Sequence, residues 1–116
     1  MEAGIAAGAH VHSASWGTRN NYYTGMTRDF DAYSYENDDF LMVIAAGNNG
    51  SGHALNTVGS PATAKNIISV GASQSSGPDI SSGMYGEDYL VDFSGRGPTG
   101  KNAFPIDSFL FKKPQY

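Results

Sequence analysis

The 116 residues contain no cysteine. That excludes disulfides, a thiolate nucleophile and cysteine-based zinc sites, while leaving the redox compartment open. No apolar run approaches the roughly 20 residues that a bilayer-spanning helix needs. The opening Met1-Glu2-Ala3-Gly4 carries neither a basic segment nor the apolar stretch of a secretory leader. Neither a membrane span nor a signal peptide is expected, and the compartment is not defined. Basic residues are few and scattered: seven Lys and Arg stand against eleven acids, a formal charge of -4. With no cluster able to neutralise successive phosphates, nucleic-acid binding is not expected.

What is abundant is glycine, at 15 residues, together with seven tyrosines. This is the composition of a turn-rich globular chain, and the length suits one domain or part of one. Ala9 to Ser15 are mostly small or β-compatible and run into Trp16-Gly17-Thr18, which predicts a strand ending in a loop. From Thr24 to Asn37, Met26, Phe30, Tyr33 and Asn37 recur at spacings of three or four, with charged residues between them. The spacing predicts an amphipathic helix with Thr24 as N-cap. Phe40 to Ala46 is continuously apolar, as in a central parallel strand covered by helices on both faces, and breaks at Gly47-Asn48-Asn49-Gly50. Asn66 to Ala72 predicts a third strand, and Leu90 to Phe93 a weaker fourth. Strand, helix and strand within about 40 residues imply a right-handed parallel crossover and an α/β fold.

In open parallel sheets, ligands bind beyond the carboxyl ends of the strands. Two such ends stand out: Ser13-Ala14-Ser15-Trp16-Gly17 and Ala45-Ala46-Gly47-Asn48-Asn49-Gly50. An amide fixed just past a buried strand can donate to an oxygen that gains negative charge during acyl transfer. Asn48 is placed for that role, although Asn-Asn-Gly is also ordinary turn chemistry.

These two blocks are followed, in order, by Thr57-Val58-Gly59-Ser60-Pro61-Ala62-Thr63-Ala64-Lys65-Asn66, Val70-Gly71-Ala72 and Phe93-Ser94-Gly95-Arg96-Gly97-Pro98-Thr99. Together they resemble the subtilisin-like serine protease family across nearly all of residues 1–99. The resemblance implies a partial three-layer α/β fold with a mainly parallel sheet and at least one crossover helix. It assigns Asn48 to the oxyanion hole. It makes Ser15, Trp16 and Gly17 the edge along which an extended polypeptide substrate is bound, and Ala45, Ala46 and Gly47 one wall of the primary specificity pocket, with Ser60, Pro61 and Ala62 near its far side. Trp16 stands where the family often has an aliphatic residue.

The family's reaction needs a Ser nucleophile, a His base and an orienting Asp. None of the three blocks is present. His10, His12 and His53 lack the His-Gly-Thr-His surroundings, and Ser81-Ser82-Gly83-Met84 does not match Gly-Thr-Ser-Met-Ala. In the family's order the chain begins after the His and stops before the Ser. Residues 100–116 depart from the family pattern and read as a divergent tail produced by truncation or a gene-model error, following a partial peptidase domain over 1–99. The chain alone is therefore expected to be inactive; the rival readings are a non-catalytic peptide-binding or regulatory module and an inert product.

Other patterns point to simpler roles. His10 and His12 share a strand face but have no third ligand. Gly47, Gly50 and Gly52 lack the ending of a phosphate loop. Asp29, Asp31, Asp38 and Asp39 read as a solvated helix face, since no ligand spacing for calcium appears even though the family can bind it. No cofactor is expected. Asn49-Gly50-Ser51 forms a glycosylation sequon, and a glycan there would crowd the proposed hole.

Overall fold

A computed structural model describes residues 1–75 and 86–100. The string 81–84 and the tail from 101 onward lie outside the described residues. Along the chain run helix α1 (Glu2–Ala6), strand β1 (Val11–Ala14), helix α2 (Gly25–Glu36), strand β2 (Leu41–Ala45), a 3-10 turn (Ser51–His53) and strand β3 (Ile68–Val70). The three strands form one parallel sheet in the order β1-β2-β3, with Val11 opposite Leu41 and Val43 opposite Ile68. A parallel pair cannot close through a hairpin, so α2 lies in the connection from β1 to β2. The α/β class and the crossover helix are therefore as the sequence implies. Helix α1 was not anticipated. Leu90 to Phe93 is not a strand: Leu90 makes a single antiparallel bridge with Ser73, and the chain then turns.

Strand β2 sits in the middle because its residues alternate cleanly on the pleat. Met42 and Ile44 are fully buried, with Phe40 and Ala46 flanking them on the same side. Each large side chain removed from water contributes about 1.5–3 kcal/mol. They form one cluster with Ala14, Phe30, Val58, Ala62 and Ala64, against which Ile5, Tyr33 and Ile67 pack. The opposite face carries Leu41, Val43 and Ala45, which are exposed or half-buried. The expectation of a strand covered on both faces thus needs correction: among the described residues the packing is one-sided.

Helix α2 starts where predicted. Thr24 is extended, and its hydroxyl accepts from the Thr27 amide at 3.3 Å. At the other end the Asn37 side-chain amide donates to the Tyr33 carbonyl at 2.8 Å. Its buried face differs from the apolar stripe: Thr27, Phe30 and Asp31 are buried, whereas Met26 is exposed. The polar pair is tolerated because both members are satisfied. The Thr27 hydroxyl lies 2.8 Å from Ser60 Oγ and 3.1 Å from Thr63 Oγ1. Asp31 accepts from the Lys65 and Asn66 amides, each at 2.7 Å. Asp31 therefore does not belong to a solvated acidic face; it holds the loop that leads into β3.

Candidate functional site

The carboxyl ends of β1, β2 and β3 converge on an open cavity of about 280 Å³. Ser13 and Ser15 line it from β1 and its exit, Ala45, Gly47 and Asn48 from β2 and its turn, and Val70 to Ala72 with Ser94 from the far side. Asn48 is exposed at this rim. Gly47 turns the chain there with φ of +99°, a conformation that side-chain-bearing residues rarely adopt. The turn is tied down on both sides of Asn48: the Gly95 amide donates to the Gly47 carbonyl at 2.8 Å, and the Gly50 amide donates to the Phe93 carbonyl at 2.8 Å.

The expected site residues thus separate into two groups. Ser15, Ala45, Gly47 and Asn48 line the same cavity. The Ala46 side chain points away from it into the apolar cluster, as alternation along an extended strand requires. The Trp16 ring meets Phe30 edge-on, with centroids 6.1 Å apart, and stays half-exposed. Gly17 lies against the Ser60 carbonyl, which also accepts from the Thr18 amide at 2.8 Å. Ser60, Pro61 and Ala62 are buried beside α2. Ser60 therefore links the rim after β1 to the helix, with its hydroxyl 3.0 Å from Thr24 Oγ1.

Ser94 was not singled out by sequence reasoning. It is buried, lines the cavity and accepts from the Ala72 amide at 3.0 Å. Its only sequence signal is membership in the block after Phe93. The two strand histidines take separate neighbours: His10 lies beside Asp39 at 3.4 Å, while the His12 ring is tilted toward Phe40. Among the described residues no three His, Cys, Asp or Glu side chains stand close enough to hold a metal ion, and no helix is long and apolar enough to cross a membrane.

A cavity beyond the carboxyl ends of a parallel sheet lies where open α/β folds bind their ligands. The model of the subtilase family matches residues 1–107, and the chain belongs to that family. Two Dictyostelium discoideum relatives, the serine protease/ABC transporter B family proteins tagB and tagD, are 44% and 42% identical over 73 residues. That stretch is 59% of this chain and only 4% of either relative. Among solved structures, sphericase superposes with a TM-score of 0.58 at 28% identity, covering 83% of this chain and 28% of that one. The prenylagaramide maturation protease PagA gives the same TM-score at 22% identity, covering 84% and 30%, a likeness of fold.

Proposed function

We propose that these residues form part of the substrate cleft of a subtilisin-like serine endopeptidase, with Asn48 donating its side-chain amide to the oxyanion. The observation that carries this reading is the exposed Asn48 at the mouth of the cavity, on a turn braced at both ends. A donor fixed before the reaction stabilises developing charge without reorganising. An extended polypeptide would lie along Ser15 to Gly17 and add to the sheet through main-chain hydrogen bonds. Ala45 and Gly47 would leave space beside it for a substrate side chain.

The nucleophile, base and orienting acid would come from sequence outside these 116 residues. Translating the flanking nucleic acid tests this directly: Asp, His and Ser blocks in frame support the peptidase, whereas their absence favours a peptide-binding module. The purified 116-residue chain should not react with a fluorophosphonate probe; stoichiometric labelling of one serine would overturn the account. In a triad-bearing protein, Asn48→Ala should reduce kcat far more than it raises KM. The comparable substitution in subtilisin, the family's own reference case, costs roughly 100- to 1000-fold in turnover.

A further inference from the structure

We propose that Arg96 is the positioning residue of the turn that presents Asn48. The assignment of a catalytic purpose to this turn rests on the oxyanion reading above; the clamp itself does not. The Arg96 guanidinium reaches five acceptors. Nη1 donates to the carbonyls of Gly50 at 2.9 Å, Asp92 at 2.7 Å and Ser94 at 3.1 Å. Nη2 donates to the Val91 carbonyl at 3.2 Å and to His53 Nδ1 at 3.1 Å. The Arg96 backbone is anchored on another segment: its amide donates to Thr57 Oγ1 at 2.9 Å, and its carbonyl accepts from the Thr57 amide at 2.8 Å.

Arg96 therefore joins three pieces of chain at the exit of β2. Its side chain holds Gly50, the last residue of the Gly47–Gly50 turn, against residues 91–94. The preceding residue, Gly95, holds the first residue, Gly47. Gly50 fits only because it has no side chain, since a Cβ there would run into the Ser94 carbonyl. The four terminal N–H groups of the planar guanidinium suit this set of four carbonyls and one imidazole nitrogen, with the Nη1 hydrogens shared among three carbonyls; a lysine ammonium, with three donors on one atom, cannot reach all of them. Asn48, between the two pinned glycines, inherits its position from the clamp.

Two readouts follow the turn without requiring proteolysis. One is hydrogen exchange at the Gly50 and Gly95 amides. The other is ageing of Asn49: the Gly50 amide loses its proton, its nitrogen bonds to Asn49 Cγ and the side-chain nitrogen leaves as ammonia, after which water opens the imide to aspartate or isoaspartate. Donation of the Gly50 amide to Phe93 opposes this attack.

In the full 116-residue chain, Arg96→Ala should speed exchange at Gly50 and Gly95 by about ten- to hundred-fold, the loss of a hydrogen bond to a charged group. Asn49 deamidation should accelerate in parallel while the Met42 and Ile44 amides keep their protection. Arg96→Lys should give a smaller change confined to the same turn. The proposal is overturned if Gly50 is unprotected in the unsubstituted chain, if neither variant changes it, or if both variants release turn and strand amides equally. In a triad-bearing protein Arg96→Ala should lower kcat with KM nearly unchanged. Failure of the exchange test leaves the oxyanion role of Asn48 standing, because that role is decided by Asn48→Ala.

Discussion

Asp31 shows how one residue can decide more than its sequence context suggests. Its carboxylate accepts from two successive backbone amides and from the Tyr23 hydroxyl at 2.7 Å, while the side chain is almost wholly removed from water. Hydrogen bonds to a charged acceptor contribute about 1.5–3 kcal/mol each, and an orphaned buried donor costs a comparable amount. Asp31→Asn keeps the shape but loses acceptor capacity, so it should destabilise the chain by about 2 kcal/mol in urea unfolding. Tyr23 reports the same contact. Its phenol is pushed up from 10.0 to about 12, first by the hydrogen bond to Asp31 and then by partial desolvation. A raised acid favours the folded state while it stays protonated; that contribution is complete below pH 10 and is lost as the pH rises from 10 to about 12. Spectrophotometric titration should show Tyr23 ionising late, and Asp31→Asn should bring it back toward 10.0. The effect on stability is moderated by solvent, because the ring itself is exposed.

At the scale of elements, the apolar run of β2 and the N-cap of α2 were legible because each is a local signal: alternation on a pleat and a hydroxyl ahead of a helical stripe. The buried face of α2 was not, since Thr27 and Asp31 are interior only through Ser60, Thr63, Lys65 and Asn66, more than 30 residues along the chain. Thr24 joins the two levels, capping the helix and meeting Ser60 across the hydroxyl cluster. Thr24→Ala should therefore cost about 1–2 kcal/mol, at the upper end for a cap, as measured by thermal or urea unfolding. Thr24→Ser, which keeps the hydroxyl, should recover most of the loss. Leu90 to Phe93 shows the opposite error: a short segment with strand-like composition makes only one bridge, because it turns at Asp92 and Phe93 and its own carbonyls accept the Gly50 amide and the Arg96 side chain.

For the molecule as a whole, the described sheet has β1 and β3 at its edges, and Val11 on β1 is 59% exposed. Unpaired edges with apolar side chains promote association between chains. The isolated chain should show concentration-dependent light scattering, which Val11→Lys should reduce without altering the helical circular dichroism. The ordered blocks of the sequence were by themselves enough to determine the family, the α/β class, the turn after the central strand and Asn48 as its candidate donor. The class and the turn are properties of short segments, carried by side-chain size, turn chemistry and local periodicity, whereas the family and the candidacy of Asn48 came from the resemblance of those ordered blocks. Only tertiary structure decided that Ala46 faces the core while Ala45 faces the cavity, that Ser94 lines that cavity, and that Arg96 braces the turn. These depend on which distant backbone groups meet. A buried carbonyl or amide must find a partner wherever the fold supplies one, and spacing along the chain does not name that partner.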